Sequence, residues 1–169
     1  MHTIAKLSFA ALAAACCASV GQAQTAPAAA PAPAPIETRP PTDVKVISKD
    51  QIAEFIRHPG TTHANVVVNH EYYNVEYVTR PYITNHVENH LHFVGYFTVL
   101  DGEGIIAYGG TPADPDYGNP AEPHATSMVG AKVISLHVGD FIVVPADTWY
   151  FFSATQGHTM TYVLFKQRV

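Results

Sequence analysis

The chain has 169 residues, 47% of them hydrophobic and only 14% charged, with 10 histidines against 9 lysines plus arginines. That length holds one domain rather than two, and a net charge of -5 with no basic cluster excludes a nucleic-acid surface built on phosphate neutralisation. The histidine excess asks for an explanation in metal binding, proton transfer or packing.

Residues 1–23 read as a signal peptide. Lys6 lies in a short first region, Leu7 to Val20 form an alanine-rich apolar stretch, and Gly21-Gln22-Ala23 offers the small residues a signal peptidase cleaves after. The stretch is short and Ala-rich for a retained membrane anchor, so the expected location is the bacterial periplasm. Ala13-Ala14-Ala15-Cys16 is a weak lipoprotein box, with acylation at Cys16 as the minor alternative. Both cysteines, Cys16 and Cys17, fall within the leader, so cleavage after Ala23 leaves no disulfide framework and no cysteine nucleophile. Residues 24–43 are dominated by Ala and Pro and read as an extended linker. The folded domain is expected over 44–169, with no apolar run long enough to span a bilayer.

Ser48-Lys49-Asp50-Gln51 has the spacing of a capping box, and Ile52, Phe55 and Ile56 follow at helical intervals before His58-Pro59-Gly60. This predicts one short helix. Thereafter the chain reads as strands: 65–69, 72–79, 85–93, 96–100, 105–108, 132–137, 141–144, 149–154 and 160–166. Each is rich in Val, Ile, Tyr, Phe or Thr and bounded by turn formers such as Asp101-Gly102, Gly139-Asp140 and Gln156-Gly157. No helix-length spacers separate them, so the fold class is all-β with antiparallel sheets. Residues 111–127, with four prolines, are expected as a long loop.

The informative stretch is His86-Val87-Glu88-Asn89-His90-Leu91-His92-Phe93. If it is one strand, alternation puts His86, Glu88, His90 and His92 on one face. A His-x-His pair in a strand separates its Cα atoms by about 6.5 Å, close enough for two imidazoles to converge on one divalent ion. The same pattern also fits a solvated polar face.

In this order the motifs resemble those of a single-domain cupin, a small antiparallel β-barrel of the jelly-roll kind. The first cupin motif pairs His-x-His with a Val-Leu-x-Gly-x-Gly turn, here His90-Leu91-His92 and Val99 to Gly104. The second runs Gly-Asp through Pro to a closing His, here Gly139-Asp140 through Pro145 to Tyr150. The resemblance spans Val66 to Lys166 and implies a jelly-roll barrel preceded by the short helix. It implies one divalent metal (Fe, Mn, Zn, Ni or Cu) with His90 and His92 as ligands, and a homodimer joined through edge strands. The sequence also departs from the family. The place of the customary glutamate falls at Gly95 or Tyr96, and Tyr150 replaces the closing histidine. Stable catalytic sites take three protein ligands, so a third donor is needed. Glu88 is the first candidate, hampered by a distance of about 13 Å between residues 88 and 92 along an extended strand. Tyr150 is the second and His86 a more distant third.

Without a metal, Tyr150 and Glu88 beside a histidine make an acid/base set suited to isomerisation or elimination. Among the remaining histidines His58 reads as a helix-end residue, and His63, His70, His124, His137 and His158 read as surface, with His124 the foremost outsider because its loop could fold over a barrel mouth. Arg80 is expected in a structural ion pair, with an anionic substrate as the rival reading. Two functions follow. One is an exported enzyme of the isomerase, lyase or dioxygenase type acting on a small molecule inside the barrel. The other is a non-catalytic periplasmic module that binds a small molecule or metal. Fold does not choose between them.

Overall fold

A computed structural model describes residues 43–59 and 63–169; the leader, Cys16 and all of the linker but its last residue lie outside the described residues. The helix α1 (Lys49–Arg57) starts where the capping box places it: Gln51 N donates to Ser48 Oγ at 3.2 Å, and Ser48 N donates to Gln51 Oε1 at 2.9 Å. Its Phe55 ring packs on Tyr77 with centroids 5.4 Å apart, which lays the helix against the first sheet.

Among the described residues twelve strands follow: β1 (Ala64–Asn69), β2 (Tyr73–Pro81), β3 (Val87–Glu88), β4 (Phe93–Asp101), β5 (Gly104–Tyr108), β6 (Thr111–Ala113), β7 (His124–Ala125), β8 (Ser127–Val129), β9 (Lys132–Leu136), β10 (Phe141–Val144), β11 (Tyr150–Ala154) and β12 (Thr159–Arg168). All pair antiparallel. One sheet has the order β1-β2-β12-β4-β10, the second β7-β3-β11-β5-β9, and β6-β8 form a small third. Phe97, Val99, Tyr162 and Leu164 from the first sheet meet Ile106, Tyr150 and Phe152 from the second in one core. At its centre the Phe97 ring lies 4.7 Å from Phe152, 5.6 Å from Tyr162 and 5.9 Å from Tyr150, centroid to centroid. Burying aromatic area on this scale is the main favourable contribution to such a fold.

The two sheets pack as the expected jelly roll, with β9 and β10 at their edges and a groove of about 510 Å³ between them lined by Ile106, Tyr108, Ile134, Leu136, Phe141 and Val144. Two expectations change. The long loop 111–127 contains β6, β7 and the start of β8, and β7 joins the second sheet. The single strand expected over 85–93 is divided. β3 ends at Glu88, and the backbone turns at Leu91 and His92 before β4. Pro123 supplies a physical reason. Its carbonyl accepts from Asn89 N at 3.0 Å, but it has no N–H to return to the ladder.

The β4–β5 turn needs glycine. Gly102 has φ +73°, and a Cβ there would lie 2.1 Å from the Thr159 carbonyl oxygen. Gly102→Ala combines left-handed strain with a backbone clash and is expected to lower stability by at least about 2 kcal/mol, read as a fall in the urea midpoint at unchanged m-value.

Candidate functional site

The site is set by strand register. Glu88 on β3 stands opposite Tyr150 on β11 and opposite His124 on β7, and Tyr150 stands opposite Tyr108 on β5. Directly opposed residues share a face of the sheet. Tyr150 is buried in the core, so His124 and Glu88 share its inward side at the end of the row where the sheet meets solvent. The chain after Glu88 is pinned on both flanks: Leu91 N donates to Ala121 O at 3.1 Å and Asp147 N to His90 O at 3.0 Å. Asn89 Nδ2 donates to Asp147 Oδ1 at 3.0 Å.

Two adjoining polar groups result. In the first, Glu88 Oε2 lies 3.6 Å from His86 Nε2, and Glu88 Oε1 lies 3.5 Å from an Nη of Arg80. Arg80 belongs to β2 and reaches across the sandwich, where its Nε also donates to the Tyr162 hydroxyl at 3.1 Å. The His124 ring sits 5.3 Å from that of His86. In the second, the Tyr150 hydroxyl lies 3.1 Å from His90 Nδ1, and His90 Nε2 faces Glu122 Oε1 at 3.6 Å. The tautomer that satisfies both neighbours carries its proton on Nε2, so Tyr150 O–H donates to Nδ1. Lys166 Nζ closes the group, 3.1 Å from Glu122 and 3.4 Å from Glu76.

Burial disfavours the Glu88 carboxylate, but His86 and then Arg80 outweigh it and hold its carboxyl down at about 2. Burial and then Lys166 push the His90 imidazole below its ordinary value, so it is a neutral acceptor near neutral pH. Burial, reinforced by Glu88, pushes the Tyr150 hydroxyl well above the usual tyrosine value, and Tyr162 is pushed up to about 12 by burial against the opposing pull of Arg80. Both phenols therefore keep their protons. Burial acts against the charge of Lys166, yet Glu76 and Glu122 raise its pKa.

The sequence-derived residues are thus partly assembled. Glu88, Tyr150 and His90 come together, and His86 joins them on the expected face. His92 does not, because the turn at 91–92 leaves it exposed while His90 is buried. Among the described residues, the group whose donor atoms converge is His86, Glu88 and His124, all within 4.8 Å of one another. Two imidazoles and one carboxylate are a donor set suited to a divalent transition metal, and three protein ligands leave positions for water or substrate. These residues fit the group that the resemblance implies. Glu122 and Lys166 escaped the sequence reading. A period-2 count along β12 gives Met160, Tyr162, Leu164 and Lys166 on the inward face. A cation in that apolar series requires a carboxylate partner, and this was the available signal.

Glu88 links the site to stability. Its folded pKa is depressed from 4.5 to about 2, so its contribution is fully present above pH 4.5 and is lost as pH falls through about 2. With metal stripped by EDTA, Glu88→Gln is expected to lower the unfolding free energy by about 3 kcal/mol at pH 7. Urea titrations at pH 7, 4.5 and 3 should show the gap to wild type narrowing at the lowest pH; a gap independent of pH contradicts an ionised Glu88.

No protein-family model matches the sequence, and no curated protein matches it. Solved structures do resemble the fold. An uncharacterized conserved protein with a double-stranded beta-helix domain from Klebsiella pneumoniae superposes with TM-score 0.53 at 17% identity, over 79% of this chain and 92% of that one. A Bacillus halodurans protein gives 0.51 at 14% identity, over 76% and 84%. The cupin domain of Schizosaccharomyces pombe Cnp3 gives 0.46 at 11% identity, over 63% and 60%. At these identities the likeness is one of architecture, and the architecture of this chain is the double-stranded β-helix, the jelly-roll fold that the cupin resemblance implies.

Proposed function

We propose that this chain is an exported, metal-dependent protein that acts on a small molecule at the mouth of the sandwich, with the cation held by His86, Glu88 and His124. The observation that carries the reading is the convergence of two imidazoles and one carboxylate within 4.8 Å beside a buried Tyr150–His90 hydrogen bond. A divalent cation bound there would polarise a substrate oxygen as a Lewis acid. The chain's own residues do the rest. Tyr150 keeps its proton and presents it to His90 Nδ1, and Glu122 orients the imidazole from Nε2. His90 is the group able to receive a proton near neutral pH, which favours proton-transfer chemistry of the isomerase or lyase type over dioxygenation. Export by residues 1–23, a tether over 24–43 and the periplasm as location belong to the same proposal and rest on the sequence, and a homodimer belongs to it on the family resemblance alone.

One observation favours the second reading, a non-catalytic binding module. Tyr150 is 1% exposed, and a Cβ at Gly95 would meet the Phe97 ring at 2.5 Å, so the interior beside the tyrosine is filled by an aromatic ring.

The deciding measurement is the metal content of protein isolated from the periplasm. Wild type is expected to carry one equivalent of a divalent transition metal. Because outer contacts to a metal ligand alone are worth 10- to 100-fold in affinity, His86→Ala/His124→Ala should weaken binding by more than about 100-fold. His90→Ala/His92→Ala should keep it. The reverse pattern would return the site to His90 and His92, and no stoichiometric metal in wild type would overturn the proposal. Tyr150→Phe is expected to keep the metal and, on any turned-over substrate, to reduce kcat by about 100-fold or more; full activity removes the tyrosine from the chemistry.

A further inference from the structure

The inward charges of the site do not balance once a cation is added. Arg80 and Lys166 face Glu76, Glu88 and Glu122, two cationic side chains against three carboxylates, which gives these five side chains one net negative charge. A divalent ion turns that into one positive charge. The two basic residues are not equally engaged. Lys166 has carboxylates at 3.1 and 3.4 Å and is satisfied. Arg80 donates from Nε to Tyr162 at 3.1 Å, while its nearest anion, Glu88, is 3.5 Å from an Nη, too long for a strong charge-assisted bond.

Glu88 is also the contested group. One carboxylate oxygen faces Arg80 and the other faces His86. A cation at His86, Glu88 and His124 draws on that carboxylate's charge and leaves a guanidinium whose side chain is only 14% exposed without full compensation. A buried charge that loses its partner is strongly unfavourable, so the loaded site gains from an added anion beside Arg80. A monoanion restores neutrality, whereas a dianion such as phosphate overshoots. The guanidinium fork matches a carboxylate in shape and accepts it bidentately. His124 is exposed and the His86 side chain is 41% exposed, so the site opens on this side to an incoming ligand.

We propose that the metal-loaded site takes a small organic carboxylate, with Arg80 as the residue that receives its charge. This rests on the cation reading above and names the ligand class for it.

The experiment uses the chain loaded with Zn²⁺, with sodium acetate as probe and acetamide as its neutral isostere, at constant ionic strength. Acetate is expected to raise the Tm of the loaded protein, to leave the EDTA-stripped protein unmoved, and to give a saturable isotherm that acetamide does not. In the Co²⁺-loaded chain, acetate should shift the visible d–d bands if it enters the coordination sphere beside Arg80. Arg80→Met is expected to keep one equivalent of Zn²⁺ and to bind acetate at least ten-fold more weakly, with Arg80→Lys intermediate. The wild-type comparisons stand alone should either variant fail to fold. Equal effects of acetate and acetamide, equal effects on loaded and stripped protein, or undiminished acetate binding by Arg80→Met each overturn the inference while leaving the cation site intact. Absence of Zn²⁺ uptake overturns the cation reading and this inference with it.

Discussion

A carboxylate carried into a β-sandwich has to be compensated, and Glu88 is that carboxylate. Its side chain is only 12% exposed, in surroundings where an unpaired charge costs several kcal/mol. The fold meets this from two directions. β2 sends Arg80 across the sandwich from the first sheet, and the residue two before Glu88 returns His86 to the same face. The pairing of β3 with β7 and β11 places His124 and Tyr150 on either side. Thus the requirement to stabilise one buried anion and the geometry that gathers metal donors are the same feature. Remove the carboxylate, and Arg80 becomes the uncompensated charge instead.

The aromatic core decides where such a centre can lie. Phe97, Phe152, Tyr150 and Tyr162 are all fully buried, and the Phe97 ring occupies the space beside Gly95 where a longer side chain would point inward. An inner centre fed from Gly95 and Tyr150 is therefore closed by hydrocarbon on one side and by a tyrosine that keeps its proton on the other. The donors that converge lie further along the same sheet, toward solvent. This arrangement trades depth for access. It explains why His90 is engaged with Tyr150 and Glu122 while His86 and His124 face an opening.

Much of the architecture was legible in the sequence because turns and alternation are local properties. The capping box at Ser48 and Gln51, the β-propensity of 141–144 and the glycine turn at Gly102 each act within a few residues, and each appears where the sequence places it. The all-β antiparallel class follows from the same signals. The site was half legible. Alternation put His86, Glu88 and His90 on one face, but it extended that face to His92 because nothing in the strand itself marks its end. The terminator is Pro123, more than 30 residues downstream, whose missing N–H matters only after β7 has come alongside β3. Likewise the partners of Glu88 and His90, namely Arg80, His124, Glu122 and Lys166, come from β2, the 111–129 excursion and β12. Strand pairing between distant segments sets these contacts, and a period count along one strand does not contain it.

The division of the proposed ligands between two segments has its own consequence. His86 and Glu88 sit within three residues at β3, whereas His124 arrives on the excursion between β6 and β8. Glu122, on that same excursion, is tied to Lys166 at 3.1 Å and faces His90 at 3.6 Å. β7 itself is only two residues long, and two backbone bonds, Asn89 N to Pro123 O at 3.0 Å and Leu91 N to Ala121 O at 3.1 Å, extend its attachment past the end of β3. Side-chain contacts to Glu122 and the proposed cation contacts to His124 act on one piece of chain, so a cation bound there would be coupled to the seating of that piece. Because Glu122 also orients His90, the excursion joins the cation group to the Tyr150–His90 pair. Neither group is complete unless the excursion is seated on β3, which makes this segment, rather than either cluster alone, the element on which the proposed site depends.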